Sequence, residues 1–284
     1  MRFLVAESEP PEARARRRDS VGRSAGETYI DVLRELVPGA RCDRVKPADA
    51  DAAVPGRMAI GDYDAVFLSG SPLHVYQDTP EVRRELDFMR AVFASGTPSF
   101  GSCAGLQVAV AAAGGTVRAM RHQREAGFAR RIVATQDGRS HPLFAGRPSA
   151  WDAPAVHTDE VETLPADATL LAGNAVTAVQ AVEIRHDGGV FWGVQYHPEL
   201  SLAEVAAARR RQADDLIEHK LALDARDTDA TAKLVEALDR QPERSDLAWR
   251  LGLDAQVADV RLRRTELRNF IAFAAGKGTV PSGS

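Results

Sequence analysis

Only two cysteines, Cys42 and Cys103, occur among the 284 residues. Two thiols cannot build a disulfide framework, so the fold must rest on its core, and a reducing cytoplasm is the expected compartment. Long apolar runs are also lacking. The opening Phe3-Leu4-Val5-Ala6 turns charged at once, which is too short for a secretory h-region. No segment approaches the roughly 20 apolar residues of a membrane span, so a soluble chain without a membrane partner is expected. Lysine is scarce: all but four of the 36 basic residues are arginine, scattered among acids, and the net charge is −4. That balance argues against a nucleic-acid partner, which favours a basic face. His74, His122, His141, His186 and His219 share no ligand spacing, so no metal site is expected.

What is present fits a folded enzyme. The apolar fraction is 44% and the charged fraction 27%, as in globular proteins, and the chain is long enough to bury a core without staples. Phe3–Ala6, Ala65–Leu68 and Thr97–Phe100 are short apolar runs that predict strands. Ala25–Val37 predicts a helix stopped by Pro38-Gly39, and Pro80–Ser95 another, with Val82, Leu86, Met89 and Phe93 at spacings of three and four. Leu106–Ala113 continues in helical pattern. Arg14–Arg18 is a charge run expected in a solvated loop. Strands separated by helices imply a parallel sheet covered on both faces. The middle of the chain, near 129–134, 169–172, 179–184 and 190–194, is β-like with Asp-Gly and Gly-Gly turns, predicting a more antiparallel region. The expected fold is a three-layer α/β sheet, mostly parallel, with a small antiparallel appendage and a helical C-terminal extension. The division is placed at 1–205 and 206–284. In the extension, Leu202–Leu223, Asp229–Leu238 and Ala255–Ala275 read as helices.

Phe100-Gly101-Ser102-Cys103-Ala104-Gly105-Leu106-Gln107 follows a predicted strand and opens a predicted helix. A nucleophile on a tight strand-to-helix turn needs small neighbours, since the backbone folds back sharply there. The sulfur would lie at a helix N-terminus, where the dipole and free N–H groups favour negative charge. A lone cysteine is more often a small buried residue, the reading that suits Cys42; the strand–Gly-x-Cys-x-Gly–helix context makes Cys103 a candidate nucleophile. In Gly193-Val194-Gln195-Tyr196-His197-Pro198-Glu199 the proline biases His197 toward extended backbone. There, residues i and i+2 point the same way. His197 and Glu199 can then lie side by side, the carboxylate fixing the imidazole tautomer and supporting its positive charge.

Together these two motifs resemble the class I (triad-type) glutamine amidotransferase family, whose G-x-C-x-G-x-Q elbow is matched by Gly101, Cys103, Gly105 and Gln107. Its H-P-E element is matched by His197, Pro198 and Glu199, and its glycine-rich oxyanion loop by Leu68-Ser69-Gly70-Ser71-Pro72. The resemblance covers about residues 1–205 and is nearest to stand-alone proteins similar to the amidotransferase domain of GMP synthase. It implies that Cys103 attacks the glutamine amide and forms a γ-glutamyl thioester, that His197 shuttles protons, and that Glu199 orients His197. It further implies an oxyanion site at the N–H groups of Gly70 and Ala104, and substrate binding by Ser71, Gln107, His157 and Asp159. No cofactor is implied.

Three functions stay open: an amidotransferase passing ammonia to an acceptor, a hydrolase of γ-glutamyl amides using the same triad, and a non-catalytic module on this fold. The intact triad argues against the last. Gly276-Lys277-Gly278-Thr279 has phosphate-loop composition but no upstream glycine and no strand before it, so any synthetase is expected on a separate chain, or to be absent. Glutamine or another γ-glutamyl compound is the expected substrate, and self-association is left open. The extension holds no cysteine and one histidine, His219. It is expected to carry no chemistry and to pack through Val257, Val260, Leu267, Phe270 and Ile271, with a docking surface for a partner as the competing reading.

Overall fold

The computed structural model describes residues 1–121 and 124–276. His122, residue 123 and the segment 277–284, which holds most of the Gly-Lys-Gly-Thr string and the polar end, lie outside them. Phe3, Leu4, Val5 and Ala6 are all fully buried, as a continuous apolar run in a strand covered on both faces requires. The same holds for Ala65–Leu68. Eleven strands are described: β1 (Arg2–Ala6), β2 (Arg41–Val45), β3 (Ala65–Leu68), β4 (Ser99–Ser102), β5 (Thr116–Ala119), β6 (Glu125–Ala134), β7 (Ala150–His157), β8 (Asp159–Thr163), β9 (Ala168–Gly173), β10 (Ala181–His186) and β11 (Gly189–Val194). Nine form one sheet in the order β2-β1-β3-β4-β11-β10-β9-β6-β7, and β5 pairs with β8 in a small antiparallel sheet. The pairings from β2 to β11 are parallel. Beyond β11 they are antiparallel. Most of the β-like middle of the chain thus extends the main sheet, with the separate two-stranded sheet beside it.

The helix Pro80–Ser95 has the predicted bounds because both ends are marked chemically. Thr79 accepts from the Val82 N–H, Pro80 opens the first turn, and Gly96 closes the helix at φ 74°. The helix Ala25–Leu36 begins with a capping box of Ser24 and Glu27. Two carboxylates from the segment after β1 join it there: the Gly26 N–H donates to Glu7 Oε1 and the Ala25 N–H to Glu9 Oε2.

Arg14–Arg18 is not a solvated loop. It lies in the helix Pro11–Val21, with Arg14 only 5% exposed and paired to Asp49 at 2.6 Å. An arginine-rich helix has little apolar periodicity to reveal it; ion pairs hold this one in place.

The C-terminal segment also departs from expectation in detail. Leu202–Leu223 is two helices, Leu202–Arg211 and Ala213–Glu218, so the division drawn at residue 205 falls inside a helix. The expected helix over 255–275 is three: Ala255–Ala258, Val260–Arg263 and Thr265–Ala274. Asp259 interrupts it by accepting from the Arg261 N–H as an N-cap, which leaves Val260 40% exposed. Val257, Leu267, Phe270 and Ile271 are buried. Phe67, Phe100 and Trp192 stand side by side in register across β3, β4 and β11. Phe270 packs on all three, at ring-centroid distances of 5.4, 5.4 and 5.7 Å. The last helix is therefore part of the main core. Each such buried side chain contributes about 1.5–3 kcal/mol. No helix among the described residues is long and apolar enough to cross a membrane.

Candidate active site

The carboxyl ends of β1, β3, β4 and β11 lie together in the parallel part of the sheet, and each hands its chain to one part of the site. Cys103 directly follows β4 and precedes the helix Ala104–Ala112. Its φ is +53° with ψ −112°, a conformation that costs on the order of 1–3 kcal/mol outside glycine. Two features hold it there. The Cys103 N–H donates to Val194 O at 2.9 Å, and flanking glycines let the turn close. A Cβ on Gly105 would sit 2.6 Å from Leu68 O, and one on Gly101 would sit 2.7 Å from the Gly105 carbonyl carbon. No side chain can stand at either position without moving backbone.

His197 arrives from the other side, its N–H donating to Pro154 O at 2.7 Å. Its Nδ1 lies 2.7 Å from Glu199 Oε1, the i, i+2 arrangement expected around Pro198. Both side chains are almost wholly buried. Burial alone would lower the His197 pKa, but the charge on Glu199 and hydrogen bonding to Cys103 outweigh it and raise it to about 10. Its surroundings thus favour the protonated imidazole, with Cys103 on one side and Glu199 on the other. Gly70 completes the group: a Cβ there would fall 2.9 Å from His197 Cε1 and 3.7 Å from Cys103 Cβ. The N–H groups of Gly70 and Ala104 have no backbone acceptor among the described residues.

Two residues given no role in the sequence reading support Glu199. Ser102 Oγ donates to Glu199 Oε1 at 2.9 Å, and Tyr29 OH lies 2.6 Å from Ser102 Oγ. Since the serine hydrogen goes to the carboxylate, the tyrosine is the donor in that second bond. Ser102 was visible next to the cysteine; Tyr29, 73 positions away, carried no signal beyond helix periodicity.

The remaining candidates are placed as follows. Ser71 Oγ donates to Ser8 O at 2.7 Å and accepts from the Leu73 N–H, so its hydroxyl shapes the loop. Gln107 Nε2 donates to Asp159 O and Gln195 Oε1. His157 is 6% exposed, with Nε2 2.8 Å from Glu125 Oε2 and Nδ1 3.0 Å from Asp159 O. Asp159 Oδ2 meets His74 Nδ1 at 2.7 Å. Gln107, His157 and Asp159 thus form one connected set behind Val156, whose carbonyl lies 4.0 Å from Cys103 Sγ.

Cys103 and His197 open into a cleft of about 500 Å3. One wall is Gly70-Ser71-Pro72 and Val156. The other comes from segments to which the sequence reading gave no role in the site: Glu9, Arg16 and Arg17 near the first helix, and Ala208, Arg211 and Gln212 from the C-terminal extension. The extension, expected to pack and to carry no chemistry, therefore lines the cleft through these side chains. Cys42 is elsewhere, half-buried against the core, and burial pushes its thiol pKa up.

Comparison with known proteins gives the following. The family model described as glutamine amidotransferase class-I matches residues 28–209. A γ-glutamyl-L-1-hydroxyisopropylamide hydrolase from a Pseudomonas species is 37% identical over 221 residues, covering 77% of this chain and 74% of that protein. A GMP synthase (glutamine-hydrolyzing) from Leifsonia xyli is 32% identical over 174 residues, 61% of this chain, but the chain spans only 31% of that protein's length. The crystal structure of a glutamine amidotransferase from Thermotoga maritima shares the fold, with a TM-score of 0.65 at 18% identity, covering 96% of this chain and 97% of that one.

Proposed function

Because the chain belongs to the class I glutamine amidotransferase family, we propose that it hydrolyses γ-glutamyl amides, releasing glutamate and an amine. The observation that carries this reading is the cleft itself. Cys103 is held at a strained, positive-φ turn beside the His197–Glu199 pair, and the cleft of about 500 Å3 it opens into is also lined by Arg16, Arg17 and Arg211. The relative that is a γ-glutamyl-L-1-hydroxyisopropylamide hydrolase covers more of this chain, at higher identity, than the GMP synthase does. That supports the hydrolase reading over delivery of ammonia to a synthetase on a separate chain.

In the proposed reaction the Cys103 sulfur, as thiolate, attacks the γ-carbonyl carbon. The carbonyl oxygen takes the developing charge against the N–H groups of Gly70 and Ala104. His197 gives its proton to the amide nitrogen, the C–N bond breaks and the amine departs, leaving a γ-glutamyl thioester. Water then adds to that carbon, losing a proton to His197; the C–S bond breaks, returning the thiolate and freeing glutamate. Glu199 supports the imidazolium, and Ser102 and Tyr29 hold Glu199. Ser71, Gln107, His157 and Asp159 lie on the side given to the glutamyl end, the last three shaping the wall that Val156 presents.

The test is a kinetic comparison of glutamine with γ-glutamylethylamide and γ-glutamyl-isopropanolamide, reading glutamate and free amine. The amides are expected to have the higher kcat/KM. Rapid glutamine hydrolysis with no turnover of any substituted amide would return the assignment to an ammonia-delivering amidotransferase.

A further inference from the structure

Resting on the hydrolase reading above, we propose that the far wall of the Cys103 cleft is a subsite for the leaving amine, built to take an amine that carries a carboxylate. The substrates favoured would then be γ-glutamyl amino acids over γ-glutamyl alkylamines.

The wall is distinct from the surfaces already assigned. With the glutamyl end on the side of Ser71 and Val156, the nitrogen that leaves and whatever it carries must lie across the cleft. That side is formed by the helix Pro11–Val21, the start of Ala25–Leu36 and the end of Leu202–Arg211. Its polar groups are Glu9, Arg16, Arg17, Thr28, Arg211 and Gln212. Their charges do not balance. Arg17 is charge-paired with Glu204 through Nη2 at 2.9 Å, and Glu204 is itself tied to Thr28 Oγ1 and the Ser201 N–H. Glu9, 7% exposed, is held by the Ala25 N–H and offers a single charge. Against it stand two further guanidiniums. Among the described residues Arg211 has only the Ser20 hydroxyl as a hydrogen-bond partner, at 2.7 Å, and Arg16 has no carboxylate partner; both arginines are solvent-exposed at the cleft. Apart from the Cys103–His197–Glu199 group, this wall therefore holds one positive charge more than its own carboxylates neutralise.

Electrostatics say the same of the individual groups. The Arg211 cation is disfavoured first by burial and next by Arg17, and only partly relieved by Glu9 and Glu204. Arg17 Nε is buried without an acceptor, a group that costs free energy until an acceptor arrives. A carboxylate between Arg16 and Arg211 supplies the missing charge and accepts from both guanidiniums, in charge-assisted hydrogen bonds. A neutral alkyl group would bury the same cations with nothing to offset them, and an ammonium would add repulsion.

The experiment compares kcat/KM for γ-glutamylglycine and γ-glutamyl-β-alanine with kcat/KM for γ-glutamylethylamide and γ-glutamylpropylamide, in wild type, Arg211→Gln and Arg211→Glu. Wild type should favour the carboxylate-bearing pair by about tenfold or more, the scale of one charge-assisted contact. Arg211→Gln should bring that ratio toward one. Arg211→Glu should invert the charge preference, so that mono-γ-glutamyl-ethylenediamine becomes a better substrate than γ-glutamylglycine. A wild-type ratio near one overturns the proposal. So does an Arg211→Gln variant that slows every substrate, glutamine included, by the same factor, because the arginine would then be holding the glutamyl end. Failure of the hydrolase reading looks different: glutamine is cleaved and no substituted amide is, and the amine subsite falls with it.

Discussion

Glu266→Ala should destabilise the protein by about 3–5 kcal/mol, although residue 266 lies near the end of the described chain and far from Cys103 in sequence. The side chains of Arg147 and Glu266 are 1% and 0% exposed. They pair in bidentate fashion, Nε to Oε1 at 2.8 Å and Nη2 to Oε2 at 2.7 Å. Glu266 Oε1 also accepts from Tyr196 OH at 2.8 Å. Removing the carboxylate strands a buried guanidinium, a loss of about 3–5 kcal/mol. It also removes the acceptor of a fully buried hydroxyl, in itself about 1–3 kcal/mol and not additive with the first. Arg147 keeps Gln256 Oε1 and Arg263 O as acceptors, which favours the lower part of that range. At about 2–4 °C per kcal/mol for a domain of this size class, the midpoint of thermal unfolding should fall by roughly 6–20 °C. The assay is equilibrium urea unfolding followed by tryptophan fluorescence, with a thermal scan alongside. The double variant Arg147→Met/Glu266→Leu is the control: with both charges gone and the volume kept, it should recover most of the loss. A Glu266→Ala loss below about 1 kcal/mol, or a double variant no better than the single one, would refute the claim that this ion pair fastens the last helix to the sheet.

Cys103→Ala should abolish glutamate release while the far-ultraviolet circular dichroism stays as in wild type; Cys42→Ala should stay active and lose some stability, and release at the wild-type rate by the first variant would sink the assignment. Glu199→Gln should lower the His197 pKa from its raised value toward the ordinary imidazole range, so the alkaline limit of kcat/KM should move to lower pH, as a pH–rate profile would record. Folding linkage at His197 has a definite sign. Because its folded pKa is raised, its stabilisation is complete below about pH 6.5 and is lost as pH climbs through about 10, so the stability gap between wild type and His197→Gln should narrow over that interval. Glu85 is fully buried, with Ser8 Oγ donating to its Oε2, and burial raises its pKa to about 7. Its protonated form favours the fold below about pH 4.5, and that contribution is lost as pH rises through 7, so Glu85→Gln should gain on wild type above pH 7 in urea titrations at several pH values.

The chemistry of the site was largely legible in the sequence because it is written in contiguous motifs. Gly101-Ser102-Cys103-Ala104-Gly105 carries its own steric reason, since only glycine fits where Leu68 O and the Gly105 carbonyl approach. His197-Pro198-Glu199 carries its geometry in the extended backbone that proline imposes. The buried runs of β1 and β3 and the capped helix Pro80–Ser95 were legible for the same reason: a period or a cap is a local property. What only the tertiary structure decided is nonlocal. Tyr29 reaches Glu199 through Ser102 because β1, β3, β4 and β11 lie consecutively in the sheet and the helix Ala25–Leu36 packs over them. The arginine-rich helix Pro11–Val21 is held by Asp49 and by Glu204, partners 35 and 187 positions away, which no periodicity can announce. Phe270 belongs to the main core because Phe67, Phe100 and Trp192 fall in register across three strands. The same long-range pairing brings Arg211 from the C-terminal extension to the wall opposite Val156. A sequence fixes the local preference of each segment. Which segments share a cleft depends on how the strands pair and which buried charges find one another, and both are settled only when the whole chain is in place.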